Sequence, residues 1–150
     1  MTNNESTIEV LNDLIQINND RIVGYNNAIE NLKDGENDLK TLFTTFKGNS
    51  AENIEELHAS VNEHGGQPVT DTSLLGKVHR TWMDVKSTFT AHDRDPIINE
   101  CITGEKAALE VYEKALNDTE DLTAGAETLI RKQQNVLIAD KLVVDNLNYN

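Results

Sequence analysis

The sequence has little of what many small domains use as cross-links or helix breaks. Its 150 residues include one cysteine and two prolines, and aromatic residues make up 5%. The single Cys101 excludes an intrachain disulfide and any metal site that needs several cysteines. No apolar run reaches the roughly 18 residues of a membrane-spanning helix, so we expect no membrane insertion. Because prolines are so scarce, long uninterrupted helices are allowed and an all-α domain is favoured.

Positive charge is also scarce. The chain has 13 lysine and arginine residues against 26 aspartate and glutamate residues, which gives a formal net charge of −13. Without a basic stripe to displace counterions from phosphates, the sequence argues against a nucleic-acid partner. It also disfavours an anionic membrane surface. Met1 to Glu5 form neither a cationic nor an apolar signal region, so the expected location is the cytoplasm.

What the sequence does have is helical periodicity. Apolar residues recur at steps of three and four over four long segments, about 6–33, 36–64, 95–117 and 121–147. A shorter segment, about 73–90, shows the same pattern. Ser6 followed by Glu9 predicts a capping box at the start of the first helix. Gly65–Gly66 predicts the end of the second helix.

These segments predict a single domain over residues 1–150 that folds as an all-α, ferritin-like four-helix bundle. Short turns join the first two and the last two long helices, so each pair is antiparallel. The segment between the pairs is long enough to run the length of the bundle. It therefore forms one long crossover that contains the extra short helix. A five-helix irregular array is the competing architecture.

Each long helix carries a polar residue on its apolar stripe, near its midpoint. Glu105 is the most informative of them, because an unpaired carboxylate in a core costs several kcal/mol. Mid-length positions on packed helices lie at one level, so these side chains should meet and satisfy one another's hydrogen bonds. The predicted buried polar layer consists of Asn18, Ser50, Asn53, Glu105 and Gln133, to which Tyr25 and Tyr112 could contribute.

Ferritin-like di-iron proteins hold their metals at this level, with one glutamate from each of two helices and Glu-x-x-His from each of the other two. Here only Glu105 keeps its residue type. One carboxylate without histidine is a poor site for iron or manganese, so we expect no metal and no cofactor. No second carboxylate or histidine lies at its level, so no catalytic residue is predicted. The departures are at Asn18, Ser50, Asn53, Ile130 and Gln133.

Three other features need a structural interpretation. Glu55 and His58 form a literal Glu-x-x-His, but on the stripe of the second helix Glu55 points towards solvent, so we interpret the pair as surface residues. Asp140 falls on the stripe of the last helix, where we expect it to reach water or the crossover. Gly24 and Gly104 lie inside helices, which indicates close approach of a neighbouring element.

Several motifs resemble a known family, and they come in the expected order over nearly the whole chain. They are residues 20–25 with Ala28, Gly65–Gly66 with Pro68, residues 76–82, and Cys101 with Gly104–Glu105 and Tyr112. On these residues the chain resembles a group of bacterial four-helix-bundle proteins in the ferritin-like superfamily, a domain of unknown function. The resemblance implies a ferritin-like bundle in a stress-related context, without an established activity. The wider superfamily includes metal-binding relatives, but the departures above argue against carrying their iron chemistry over.

We therefore expect a structural or interaction module that self-associates through a helix face and whose polar layer replaces a di-metal centre. The sequence leaves enzymatic activity open and favours a non-enzymatic role. One alternative is a metal-binding or iron-handling oxidoreductase centred on Glu105. Another is a partner-binding module that uses the crossover helix around Trp82, which an exposed Trp82 within an apolar patch would support.

Overall fold

The computed structural model describes residues 3–70, 82 and 94–147. Within these ranges the chain is all-α, without strands, and the predicted four-helix bundle is confirmed. None of the described helices combines the length and the apolar composition that crossing a bilayer requires. The helices are α1 (Asn3–Asn31), α2 (Asn37–Glu63), α3 (Arg94–Asp118) and α4 (Ala124–Leu147).

Two local predictions have different outcomes. The capping box at Ser6 is wrong, because α1 already begins at Asn3. The end of α2 is as predicted: Gly65 adopts a φ of 84°, and the Gly66 amide donates to the Val61 carbonyl at 3.0 Å. A left-handed residue with this six-to-one bond is a common helix C-terminus, and it satisfies a carbonyl that would otherwise lack a partner. The predicted crossover helix over 73–90 lies outside the described residues, apart from Trp82, which is helical.

Neighbouring helices in the bundle are antiparallel. Helix α1 packs beside α2 and α3, and α4 packs beside the same two helices. Along α1 the contacts pass from Asn18 to Arg21, while on α3 their partners pass back from Tyr112 to Glu105. The contacts between α2 and α4 show the same pattern: residue numbers rise along α2 as those of their partners fall along α4. Helices α2 and α3 therefore run in the same direction, so the chain between them connects opposite ends of the bundle, as one long crossover does.

The Trp82 indole is buried where α1 and α3 face each other. A Cβ atom at Gly24 would lie 2.1 Å from Trp82 Cε3, and one at Gly104 would lie 2.6 Å from Trp82 Cε2. Real Cβ atoms do not approach other heavy atoms this closely, so both positions need glycine. The sequence indicated a close approach at these glycines, and the approaching group is the tryptophan ring. The indole also packs against Tyr25, with ring centroids 5.1 Å apart.

Candidate functional site

Eight polar side chains are buried in the middle of the bundle, in two adjacent layers. Each helix contributes one residue to each layer, because every contributing position lies on the buried stripe of its helix. The ion-pair layer, in the order α1 to α4, consists of Arg21, Ser50, Glu105 and Asp140. The amide layer, in the same order, consists of Asn18, Asn53, Tyr112 and Gln133.

Arg21 is the centre of the ion-pair layer, and its side chain is fully buried. Its guanidinium binds Glu105 through two bonds, from Nε to Oε1 at 2.6 Å and from Nη2 to Oε2 at 2.8 Å. Nη1 donates to Ser50 Oγ at 2.7 Å, and Nη2 donates to Asp140 Oδ2 at 3.1 Å. A two-bond arginine–carboxylate pair is among the strongest and most directional hydrogen-bonded pairs in proteins.

Burial and pairing act against each other on the pKa values of this pair. Burial alone would lower the pKa of Arg21, but the charge of Glu105, assisted by Tyr25 and Asp140, raises that pKa above its usual range. Burial also raises the pKa of Glu105, and the Arg21 guanidinium opposes that rise. The arginine therefore stays charged, and the pKa of the Glu105 carboxyl lies above its usual value because burial outweighs the effect of the guanidinium.

Ser50 connects the two layers. Its hydroxyl accepts from Arg21 and donates to Asn18 Oδ1 at 3.0 Å. The same Asn18 oxygen also accepts from Asn53 Nδ2 at 3.2 Å. A serine hydroxyl can accept and donate at once, so one small side chain completes a hydrogen-bonded path from α3 through α1 and α2.

The amide layer closes a second circuit around the bundle. Asn18 Nδ2 donates to the Tyr112 hydroxyl at 2.8 Å, and that hydroxyl donates to Gln133 Oε1 at 2.8 Å. Gln133 Nε2 then donates to the Asn53 backbone carbonyl at 3.1 Å. Each of these bonds joins two different helices, so the layer fixes the register of all four. Buried polar groups without such partners would cost about 1–3 kcal/mol each.

The polar core approaches the surface at a groove between α2 and α4, through one long hydrogen bond. Gln133 also contacts Glu56 Oε1 at 3.4 Å, and Glu56 pairs with Lys132 across the groove. Both Glu52 and Glu55 line the same groove. Glu55 is exposed and His58 is half-buried, so the literal Glu-x-x-His does not point into the core.

The tyrosine and cysteine side chains near the ion-pair layer are buried and hard to ionise. Burial raises the pKa of Tyr25, Tyr112 and Cys101 above their usual values. The Tyr25 hydroxyl is close enough to Glu105 to affect the pKa of that carboxyl. Within the described residues, however, neither this hydroxyl nor Trp82 Nε1 has a hydrogen-bond partner. A cysteine that stays protonated is a poor nucleophile, so Cys101 behaves as a small apolar side chain.

The five residues predicted for the polar layer are all buried and lie in the two layers, together with Tyr112. Tyr25 lies beside Arg21, whose guanidinium carbon is 5.5 Å from the ring centroid. The expectation for Asp140 was wrong: it is buried, bonded to Arg21, and accepts from Asn49 Nδ2 at 3.1 Å.

Arg21 itself was missed by sequence reasoning. Its spacing was a usable signal, because it comes seven residues after Leu14 and four before Tyr25, on the buried stripe. Charged residues are rarely buried unless paired, so the default placement of an arginine is the surface. A carboxylate on an apolar stripe, such as Glu105, needs a partner, and a cation on the stripe of a facing helix can provide one.

The residues in the two layers do not fit a di-metal centre. Both carboxylate oxygens of Glu105 accept from Arg21, and both oxygens of Asp140 accept from nitrogen donors. Hard cations need several free carboxylate oxygens, and a guanidinium at the same place would repel them. Over residues 3–70, 82 and 94–147, the chain presents no group of three histidine, cysteine or acidic residues arranged to hold a metal ion.

Comparison with known protein families identifies a family for this chain. The sequence profile of the family described as "Domain of unknown function (DUF2383)" matches residues 6–118, and the chain belongs to this family. The matched range covers α1 to α3 almost completely and ends before α4. A comparison with curated proteins gives no match.

Proposed function

We propose that this member of the family is a non-enzymatic structural or interaction module of ferritin-like architecture, in which a buried arginine takes the place of a di-metal centre. The observation that carries the proposal is the Arg21 guanidinium, fully buried and bonded twice to Glu105. A guanidinium supplies fixed positive charge at the level where metal-binding bundles carry their ions. The single long crossover supports the ferritin-like part of the proposal.

A non-enzymatic role is supported by the state of the buried groups. The two carboxyl groups of the ion-pair layer accept hydrogen bonds from Arg21, and Asp140 accepts a further one from Asn49. Cys101 and the two buried tyrosines keep their protons, because burial raises their pKa values. Catalysis by general acid or base needs a group near its pKa within reach of substrate. A network that connects four helices is instead suited to fixing one arrangement of the bundle.

The deciding experiment is metal analysis of the protein purified without a metal-affinity tag. Wild type, Glu105→Gln and the exposed control Glu127→Gln are titrated with Fe(II) in air, and their metal content and free energy of unfolding are measured. We expect no stoichiometric metal in any of the three and a stability loss only in Glu105→Gln. Stoichiometric iron in wild type that is lost in Glu105→Gln would overturn the proposal and favour the iron-handling alternative.

The alternative that used Trp82 as a docking residue loses its main support. We required an exposed Trp82, whereas the indole is fully buried against Gly24 and Gly104. An interaction surface has to be sought elsewhere on the bundle.

A further inference from the structure

The outer face of α4 exposes apolar side chains near its C-terminal end. Three large hydrophobic residues are exposed there: Ile138 by 41%, Leu142 by 57% and Val143 by 43%. Ala139, between them on the same face, is exposed as well. Single exposed apolar residues are common, but a contiguous group on one helix face is a feature of interaction sites.

The charges beside this face are paired, although the chain as a whole is strongly acidic. Between residues 135 and 146, Asp140 is buried, and Lys141 bonds to Asp145 at 2.8 Å along one side of the helix. Helix α4 as a whole has three basic and three acidic residues, whereas the full chain has a net charge of −13. Two copies of such an acidic chain repel each other, and a charge-balanced helix face reduces that repulsion where the copies meet.

The residues on this face are arranged with approximate two-fold symmetry along the helix. If the sequence is read outwards from the midpoint between residues 140 and 141, Ala139 corresponds to Leu142 and Ile138 to Val143. One turn further out, the exposed Asn135 corresponds to the exposed Asn146. In an antiparallel pair of identical helices, each of these residues faces its counterpart on the other copy. A two-fold interface requires this self-complementary pattern.

We propose that the outer face of α4 binds a second copy of this chain, as an antiparallel α4–α4 pair about a two-fold axis. Ile138 of each copy then packs against Val143 of the other, and the small Ala139 accommodates Leu142. The two asparagines at each end can exchange amide hydrogen bonds at the rim of the interface. A single pair of helices buries a small area, so the dimer is weak and its population depends on concentration.

This inference gives the proposed interaction module its partner, but it does not depend on the polar core. Molecular mass in solution is measured across micromolar concentrations for wild type, Leu142→Glu and Thr128→Glu. Thr128 is a matched control, because it is exposed on α4 but lies outside the patch. We expect a concentration-dependent dimer for wild type and Thr128→Glu, and a monomer for Leu142→Glu. Circular dichroism should show equal helix content in all three.

A mixing experiment separates self-association from binding of any other partner. Leu142→Glu and Leu142→Lys should each be monomeric, and an equimolar mixture should recover a dimer containing one of each. Wild type that stays monomeric throughout, or a dimer unaffected by Leu142→Glu, would overturn the inference. Neither result changes the metal content that tests the proposed function, so failure of one proposal is distinguishable from failure of the other.

Discussion

Arg21 brings a full positive charge into the centre of the bundle, and this has a large cost that its partners must offset. Removing an ion from water costs several kcal/mol even after the protein relaxes. The offset comes from the two bonds to Glu105 together with those to Ser50 and Asp140. Such an arrangement adds little net stability over an apolar core, but loss of one partner leaves the other charge unpaired.

Arg21→Met should therefore destabilise the protein strongly. It leaves Glu105 buried without its cation, and we expect a loss of about 3–5 kcal/mol in the free energy of unfolding. The double variant Arg21→Met, Glu105→Leu removes the two fully buried charges and leaves Asp140, which still accepts from Asn49, so it should recover much of that loss. The measurement is urea denaturation followed by circular dichroism.

The exposed pair of Arg131 with Glu127 is the matched control, since these side chains are 57% and 47% exposed. Arg131→Met should change the free energy of unfolding by less than about 1 kcal/mol, because exposed pairs contribute little. A double variant that is no more stable than Arg21→Met alone would contradict the unpaired-charge explanation.

The pH dependence of stability tests the state of the Glu105 carboxyl. Burial raises its pKa in the folded protein above the ordinary 4.5, so the folded state keeps this proton at pH values where the unfolded chain has lost it. The stability contributed by Glu105 is then complete below pH 4.5 and decreases as pH rises through the folded-state pKa. The destabilisation caused by Glu105→Gln should accordingly be largest in acid and shrink towards neutral pH.

The difference in the free energy of unfolding between wild type and Glu105→Gln is measured by urea denaturation at a series of pH values. Glu127→Gln, an exposed substitution, should show a small difference at every pH. If the effect of Glu105→Gln instead grows as pH rises, Arg21 outweighs burial and the pKa of Glu105 lies below its ordinary value.

At the residue scale, the sequence predicted which carboxylate is buried but not what pairs with it. Glu105 was identifiable because a charge on an apolar stripe stands out against its neighbours. Arg21 was not, because long cationic side chains usually reach the surface from the edge of a stripe. Asp140 was expected to reach water or the crossover near the helix end. It is buried instead, because Arg21 on another helix extends far enough across the bundle to bond to it. Such pairings depend on tertiary geometry, which the spacing along one helix does not contain.

At the scale of elements, Trp82 is held by glycines on two facing helices. Gly24→Ala and Gly104→Ala should each destabilise the protein by about 1–3 kcal/mol, because the added methyl group overlaps the indole. Gly48 is the matched control: it is exposed within α2, and an added Cβ meets no atom within 4 Å. Gly48→Ala should stabilise by about 0.5–1 kcal/mol through helix propensity.

Thermal unfolding and tryptophan emission provide the two measurements. Trp82 is the single tryptophan of the chain, so a red shift in Gly24→Ala or Gly104→Ala reports displacement of the indole from its slot. Equal stabilisation by all three alanine substitutions would show that the indole does not occupy the space between α1 and α3.

The helices themselves were predictable to a useful degree. Their stripes follow from the helical period, and the end of α2 at Gly65–Gly66 follows from the backbone freedom of glycine. The start of α1 was placed too late, since Ser6 matches a capping box by composition while α1 begins at Asn3. The position of Trp82 could not be predicted, because a residue in the crossover has no fixed relation to any helix stripe.

At the scale of the whole molecule, the excess of negative charge should make stability depend on salt. Folding brings carboxylates together, for example Glu52, Glu55 and Glu56 around the groove between α2 and α4. Because the net charge is −13, repulsion between acidic residues disfavours the compact folded state. Raising sodium chloride to about 0.15 M shortens the screening length to about 8 Å. The urea midpoint should therefore rise with salt.

Two variants separate this surface effect from the buried ion pair. Glu52→Gln, Glu55→Gln removes two surface charges, so it should raise the midpoint at low salt and reduce the gain from added salt. Arg21→Met should lose the same stability at low and high salt, because a buried pair is screened much less than a surface one. A wild-type midpoint that falls with salt would instead mean that surface pairs, such as Arg94 with Glu36 at 2.7 Å, outweigh the repulsion. The same screening should strengthen the α4–α4 dimer, because its interface is apolar and the repulsion between two acidic copies is long-ranged.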